Sequence, residues 1–214
     1  MLVKRGIKLN KKIAIFDIES VLLDAEFLPL LAKRVGKWKF VHDITLKGIC
    51  GEIKWEEGLH QRIEALKGVK QEVAAGIADS LPYMKGAREV CGELKRRGYT
   101  LIAVTGGFTI FAERVKKELG FDHLFANQLV FNDGELVGIK PLTVKSDSVN
   151  GLEKLLVKLK AKKDDIVTVV DGANDMKLFR YANVKIAFNA QPIVKEVGNV
   201  TVDEKDLTKT LEYF

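Results

Sequence analysis

Three segments of the chain are continuously apolar and rich in β-branched residues, without the polar alternation of a half-exposed strand. They are KKIAIFD (11–17), YTLIAVTGG (99–107) and DIVTVVDGAND (165–175). Such runs predict strands that are buried on both faces, as in a parallel sheet covered by helices. Two shorter runs, at 184–188 and 200–202, extend the series.

Helical patterns between these strands predict an α/β fold. The segment 129–138, LVFNDGELVG, predicts a β-hairpin whose Asp-Gly pair supplies the tight turn. In the first helical pattern, Cys91 shares an apolar face with Ala87, Val90 and Leu94, so we expect it to serve packing. The predicted helices are 86–97, 108–119, 147–160, 174–182 and 206–213.

Residues 24 to about 80 follow another pattern, with amphipathic helical stretches and no strand run. The segment 79–86, DSLPYMKG, resembles a return linker because it contains Pro and Gly. We therefore predict a core of residues 1–22 and 83–214, with a small helical cap of residues 23–82 inserted after the first strand. The glycines expected to separate the cap helices are Gly36, Gly48, Gly51 and Gly68.

Composition and charge narrow the classes of function. The chain has 214 residues, of which 47% are hydrophobic and 30% charged, which is ordinary for a globular protein. The formal net charge is +6, but the basic residues are spread among 29 acidic ones and form no tract interleaved with aromatics. This pattern favours a mild attraction for anions over a nucleic-acid partner, and a nucleic-acid accessory role rests on charge alone.

The remaining bulk features predict a cytoplasmic protein that is not embedded in a membrane. No run approaches the roughly 18 apolar residues of a membrane span. The basic N-terminal segment lacks the apolar stretch and cleavage site of an export signal. Cys50 and Cys91 are the two cysteines and form no paired motif, so neither a disulfide scaffold nor a structural zinc site is expected.

Polar side chains stand where each of the three buried strands ends. Asp17 ends the first run, Thr105 follows the second and Asp171 follows the third. In open α/β sheets, ligands bind beyond the carboxyl ends of the strands. We therefore predict that the three positions converge on one site.

The DGAND segment offers oxygen ligands for a hard cation. Asp171 and Asp175 lie four residues apart across a glycine-containing turn. Together with Asp17 they would suit magnesium, which takes oxygen ligands and keeps waters and substrate phosphate in its shell. The alternative is that Asn174 or Asp175 only caps the following helix.

A phosphate site is indicated near the second strand. Thr105 offers a hydroxyl, and Gly106 and Gly107 let backbone N–H groups approach an anion at the start of the next helix. Lys145 stands just before the predicted helix 147–160, where it could neutralise a phosphate oxygen.

The motifs FDIES, TGG, a downstream lysine and DGAND, in this order and on these strands, resemble the haloacid dehalogenase superfamily of phosphotransferases. Within it, the chain is similar to the phosphoserine phosphatases over nearly its whole length, including FANQLVFNDGELVG and KIAFNAQPIVKEV. The resemblance implies a Rossmann-like parallel core with an inserted helical cap. It also implies a Mg2+-dependent hydrolase of a small phosphomonoester, first of all O-phospho-L-serine, acting as a monomer or homodimer.

The resemblance assigns roles to the motif residues. Asp17 would attack phosphorus to form an aspartyl phosphate, and Glu19 would act as general acid and then as base. Magnesium would be held by Asp17, the Ile18 carbonyl and Asp171, with Asp175 orienting its shell. The groups expected around the phosphoryl oxygens are those of Thr105, Gly106, Gly107, Asn174 and Lys145.

In the cap, the resemblance matches Glu26 to a residue that contacts a substrate ammonium, and Arg62 to one that binds a carboxylate. The residue pattern agrees for Arg62, which lies within the angular span of an apolar helical stripe and so needs a partner. The alternative is an arginine whose charged end reaches solvent at the edge of the stripe. The stripe consists of Trp55, Leu59, Ile63 and Leu66.

The chain departs from the family pattern at three positions. Glu19 stands where an Asp is usual, Val170 stands where a Gly precedes the metal-binding Asp, and the family lysine falls at Ser148 when counted back from DGAND. Two alternatives therefore stay open. One is a phosphatase or phosphotransferase for another small phosphomonoester, and the other is a catalytically weak relative that binds a phosphorylated ligand.

Overall fold

The protein is described from a computed structural model that covers residues 12–49 and 52–214. Its main sheet has six parallel strands in the order β3-β2-β1-β6-β7-β8, and a separate antiparallel hairpin is formed by β4 and β5. The strands are β1 (Ile13–Phe16), β2 (Thr100–Phe108), β3 (His123–Asn127), β4 (Leu129–Asn132), β5 (Glu135–Ile139), β6 (Ile166–Val170), β7 (Val184–Phe188) and β8 (Val200–Val202). The predicted α/β class and the buried parallel strands are confirmed.

Helices cover both faces of this sheet and also form a separate layer. The α-helices are α1 (Phe27–Arg34), α2 (Trp38–Ile49), α3 (Trp55–Leu66), α4 (Gln71–Ser80), α5 (Ala87–Arg96), α6 (Thr109–Leu119), α7 (Leu152–Leu159) and α8 (Pro192–Val197). Helices of 3-10 geometry span Lys163–Asp165, Ala173–Tyr181 and Leu207–Tyr213. The helical patterns predicted at 174–182 and 206–213 therefore form the tighter 3-10 geometry.

The central strand β1 shows how the two faces are buried. Ala14 and Phe16 belong to one apolar cluster, while Ile13 and Ile15 belong to the other. All four are fully buried, because helices cover both faces of a strand whose side chains alternate in direction. In α5, Cys91 is buried with its apolar neighbours, and burial raises the pKa of its thiol to about 12, as expected for a packing residue.

Helices α1 to α4, called the cap below, are inserted between β1 and α5. The two connections to the core run side by side, because Asp24 N–H donates to the Pro82 carbonyl and Met84 N–H donates to the Leu22 carbonyl, both at 2.9 Å. The cap also rests on the hairpin of the core, where Gly68 N–H donates to the Leu136 carbonyl at 2.9 Å.

The hairpin has the predicted turn. Asp133 and Gly134 both have positive φ, at 47° and 76°, which is the requirement of a type I′ turn. The sequence pattern did not predict β3, a partly exposed edge strand whose side chains do not form a continuous apolar run.

Several boundaries differ from the prediction. The helix expected at 147–160 begins at Leu152, because Val149 pairs with Val144 in an isolated bridge and Gly151 takes a left-handed conformation. Gly48 lies inside α2 and separates no helices. Cys50, Gly51 and the basic N-terminal segment lie outside the described residues.

In the part of the chain that is described, no helix has both the length and the apolar character needed to cross a membrane.

Candidate active site

The strand order brings the predicted site residues together. Strand β1 lies between β2 and β6, so the carboxyl ends of the three strands are adjacent. Asp17 therefore lies between Thr105 of β2 and Asp171, which follows β6. All three side chains line one cavity of about 520 Å³ between the core and the cap.

Three carboxylates of this cavity lie close together. One oxygen from each of Asp17, Asp171 and Asp175 lies within 4.8 Å of the others. Asp17 and Asp175 are almost completely buried. Burial, and then repulsion from its acidic neighbours, raises the pKa of Asp17 well above its usual range and that of Asp171 to about 8. Carboxylates held this close in a buried place fit a divalent cation, which neutralises their repulsion.

The DGAND turn is held by its own side chains and by Gln191. A side chain at Gly172 would collide with the Asn174 amide oxygen, 2.7 Å from the position of a Cβ atom. Gln191 N–H donates to the Asp171 carbonyl at 3.0 Å, and its side-chain oxygen accepts from Ala173 N–H at 3.3 Å. Sequence reasoning did not single out Gln191, whose role depends on the neighbouring strand β7 and is not visible in a local motif.

The Thr105-Gly106-Gly107 segment continues strand β2 and does not open the next helix, which begins at Thr109. Gly107 N–H donates to the Thr105 hydroxyl oxygen at 2.9 Å. A Cβ atom at Gly106 would lie 2.6 Å from the Trp55 ring, and one at Gly107 would collide with the Glu19 carboxylate. The glycines are therefore needed to admit these two side chains, a reason that the sequence pattern did not reveal.

Glu19 is held at the start of α1. Its Oε1 atom accepts a hydrogen bond from Phe27 N–H at 2.7 Å, and its other oxygen lies over Gly107. The longer side chain thus spans the distance between the cap and Gly107 of β2 in the core. Burial and the neighbouring Glu26 raise the pKa of Glu19 well above its usual range, whereas the Phe27 N–H and Arg62 oppose the rise.

Glu26 and Arg62 face the same cavity from the cap side. Ser20 donates its hydroxyl to Glu26 Oε1 at 2.6 Å, and Arg62 Nε donates to the Gly58 carbonyl at 3.1 Å. Glu26 is accessible from the cavity, yet its pKa is raised because protein surrounds it and restricts hydration. Burial lowers the pKa of Arg62 in spite of the two nearby glutamates. The cap thus presents a carboxylate and a guanidinium to the same space.

Further residues complete the wall of the cavity and were not predicted as site residues. Most of them are side chains of the cap, and the core contributes Phe108, Gln191 and Ser146, which lies on the loop before α7. Trp55 and Leu59 belong to the stripe predicted from the sequence, and they line the cavity beside Arg62. The additional lining residues include Leu28, Pro29, Ile44, Thr45, Trp55, Leu59, Phe108, Ser146 and Gln191.

Two predicted residues do not take their expected places. Lys145 is exposed and lines an outer crevice with Glu56 and His60, because the loop before α7 is not helical there. The Ile18 carbonyl accepts the N–H groups of Leu22 and Leu23, both at 2.9 Å, so the turn after β1 already uses this predicted ligand.

Comparisons with known proteins agree with this geometry. Residues 11–183 match the family described as haloacid dehalogenase-like hydrolase. A phosphoserine phosphatase of Methanocaldococcus jannaschii is 36% identical over 206 residues, which cover 95% of this chain and 98% of that protein. A phosphoserine phosphatase of Wolinella succinogenes is 33% identical and covers 94% of this chain and 99% of its own length.

Solved structures show the same similarity. A phospho-aspartyl intermediate analogue of phosphoserine phosphatase superposes with a TM-score of 0.90 at 35% identity, covering 96% of this chain and 99% of that chain. A substrate-bound phosphoserine phosphatase complex gives a TM-score of 0.89 at 34% identity, covering 95% and 98%. The similarity thus extends through the core and the cap.

Proposed function

Since the chain belongs to the haloacid dehalogenase-like hydrolase family, we propose that it hydrolyses O-phospho-L-serine to serine and phosphate. The observation that carries the proposal is the composition of the cavity between the core and the cap. The acidic cluster of Asp17, Asp171 and Asp175 faces Glu26 and Arg62 across it. The first group suits a phosphoryl group with its cation, and the second suits an amino acid. The names of the relatives support the same substrate.

The phosphoryl end of the cavity is proposed to work through Asp17. Its carboxylate attacks phosphorus, the serine oxygen leaves, and an aspartyl phosphate forms. Glu19 donates a proton to the departing oxygen and later accepts one from the water that cleaves the aspartyl phosphate. A raised pKa keeps Glu19 in its acid form closer to neutral pH, as this first step requires. Thr105, the Gly106 N–H and Asn174 are proposed to contact the phosphoryl oxygens.

We assign the cation site to Asp17, Asp171 and Asp175, without the Ile18 carbonyl. The three carboxylates match the preference of Mg2+ for oxygen ligands. When bound, Mg2+ supplies positive charge that stabilises the phosphoryl oxygens in the transition state.

The cap is proposed to select the substrate. Arg62 uses its Nε to bind Gly58, which leaves the other guanidinium N–H groups for the planar carboxylate of an amino acid. Glu26, held by Ser20, is suited to pair with the ammonium group. We propose cap boundaries at residues 23–82, because the connections on either side of the cap pair between Leu23 and Tyr83.

The first experiment measures phosphate release from phosphoserine and from a panel of other phosphomonoesters, with Mg2+ or with chelator. Asp17→Asn is expected to lower release by about 10³-fold or more, because it removes the nucleophile. The matched control is Asp164→Asn, an exposed carboxylate outside the cavity. Rapid acid quenching should trap a phosphorylated protein from the wild type and none from Asp17→Asn.

The same experiment separates the alternatives. Equal cleavage of all esters would reject the roles of Glu26 and Arg62 and keep the chemistry. Transfer of phosphate to an added alcohol would indicate a phosphotransferase. Binding of phosphoserine without any release would reject the hydrolase in favour of a phospho-ligand-binding protein.

A further inference from the structure

A buried lysine lies directly behind the acidic cluster. Lys177 follows the DGAND motif within the 3-10 helix Ala173–Tyr181, and its side chain is only 3% exposed. Lysine is almost never buried to this extent unless its ammonium group is paired. The position of Lys177 therefore requires an explanation.

The ammonium group binds two parts of the DGAND turn. Lys177 Nζ donates to Asp175 Oδ1 at 3.1 Å and also to the Asn174 carbonyl. With three residues per turn, the 3-10 helix places Lys177 on the same side as Asn174. The Asn174 amide in turn donates to Asp175 Oδ2. Both oxygens of Asp175 are thus held from the protein side, which fixes the plane of its carboxylate.

Among the lysines of residues 12–49 and 52–214, Lys177 alone is buried. Lys145, the lysine that the sequence pointed to, is exposed in the outer crevice. Lys177 does not line the cavity itself, so it reaches bound ligands only through Asp175 and Asn174.

We propose that Lys177 is a positioning residue for the cation site, holding Asp175 in the orientation that completes the acidic cluster. This inference rests on the cation site of the proposed function, and it assigns Lys177 no contact with substrate. Groups that orient the ligands of a metal typically contribute about 10- to 100-fold to its affinity.

The test measures Mg2+ binding by calorimetry on the free protein, without substrate. Lys177→Met keeps the length and apolar stem of the side chain and removes the ammonium group, so Mg2+ affinity should fall about 10- to 100-fold. Lys177→Arg keeps charge and donors and should recover most of the lost affinity. The matched control is Lys158→Met, an exposed lysine of α7, which should bind Mg2+ as the wild type does.

Unchanged or tighter Mg2+ binding in Lys177→Met would overturn the proposal. The ammonium group would then neutralise nearby carboxylates without holding Asp175 in an orientation that Mg2+ needs. Thermal unfolding in chelator verifies that each variant is folded. If Lys177→Met does not fold, Lys177→Gln, which is shorter but still polar, should show a loss of at least about tenfold. Because this readout needs no substrate, it stands even if phosphoserine is not hydrolysed. Conversely, normal Mg2+ binding in Lys177→Met together with full phosphoserine hydrolysis would reject the role of Lys177 and leave the proposed function standing.

Discussion

At the scale of single residues, Glu19 carries the most specific prediction, because it combines a raised pKa with a fixed position between cap and core. Glu19→Gln should lower kcat/KM for phosphoserine by about 10²- to 10⁴-fold, the usual contribution of a general acid. The wild-type rate should fall as the pH rises through the raised pKa, because the acid form is then lost. The variant should lack this decline, which a pH profile of kcat/KM measures.

A substrate with a good leaving group provides the control for Glu19. The oxygen of p-nitrophenyl phosphate departs without a proton, and kcat/KM reports only the steps up to that departure, before Glu19 acts as a base. Glu19→Gln should therefore lose much less kcat/KM on p-nitrophenyl phosphate than on phosphoserine. An equal loss of kcat/KM on both substrates would show that Glu19 acts by holding α1 through Phe27 and not as an acid.

The residue scale also shows how far the sequence could predict the site. Asp17, Thr105 and Asp171 were predictable because parallel strands end at one edge of the sheet. Lys145 lies outside the cavity, because its position depends on Gly151 and the pairing of Val144 with Val149, which no local pattern indicates. A buried lysine such as Lys177 looks in the sequence like any surface lysine, because its partners are known only once the turn is built.

At the scale of elements, the first turn of α3 joins the cap to two separate parts of the core. Trp55 packs against Gly106 of β2. Glu56 accepts both the N–H and the hydroxyl of Ser146, each at 2.7 Å. These contacts hold α3 and its Arg62 over the acidic cluster, so we expect the cap to close through this turn.

Gly106→Ala tests this closure. The added Cβ atom would lie 2.6 Å from the Trp55 ring, so the rigid indole and the start of α3 must move away from the core. We expect KM for phosphoserine to rise about tenfold or more, because moving α3 weakens the bond of Arg62 to the substrate carboxylate, and a hydrogen bond to a charged group contributes about 1.5–3 kcal/mol. Steady-state kinetics provide the measurement.

The controls for Gly106→Ala come from the same chain. Gly92→Ala, in α5, adds a Cβ atom with no other atom within 4 Å and should leave KM unchanged. Replacing Trp55 by Leu in the Gly106→Ala protein should recover much of the affinity, because the smaller side chain removes the collision. If the second substitution recovers nothing, the effect of Gly106→Ala arises within β2 and the closure argument fails.

Elements differ in how well the pattern of apolar residues predicts them. The strands β1, β2 and β6 were predictable because they are buried on both faces and so are continuously apolar. The edge strand β3 has no such run, since three of its five residues are partly exposed. The hairpin was predictable from Asp133 and Gly134, because few other pairs adopt two positive φ values.

At the scale of the whole molecule, the buried carboxylates of the cavity make the free energy of unfolding fall as the pH rises above the ordinary pKa of a carboxyl group. In the folded protein, burial raises the pKa values of Asp17, Glu19, Asp171 and Asp175 above their ordinary values, and repulsion from neighbouring carboxylates adds to the rise for all but Asp175. Between the ordinary values and the raised ones, the folded state binds more protons than the unfolded state. The free energy of unfolding therefore falls as the pH rises through this window, which reaches about 8 for Asp171.

Carboxylates whose pKa is lowered in the folded protein change its stability at a lower pH than the raised ones do. Asp206, for example, has its pKa lowered to about 2 by Lys85 and Thr208, so its contribution is lost only as the pH falls below the ordinary range of an Asp. In chelator, the melting temperature should accordingly decrease from pH 5 to pH 8. Mg2+ binds the ionised cluster, so its stabilising effect should grow over the same range.

Asp171→Asn separates the contribution of the cluster from the rest of the molecule. This variant removes one buried charge, so at pH 8 in chelator it should be more stable than the wild type, while it should gain much less stability from Mg2+. A change of about 1 kcal/mol would shift the melting temperature of a chain of this size by about 2–4 °C, which thermal unfolding resolves. A wild-type protein that becomes more stable in chelator between pH 5 and pH 8 would show that these carboxylates do not dominate. Mg2+ that binds this cluster in the folded state adds stability that grows with the free Mg2+ concentration, so the site can be followed through thermal unfolding without a substrate.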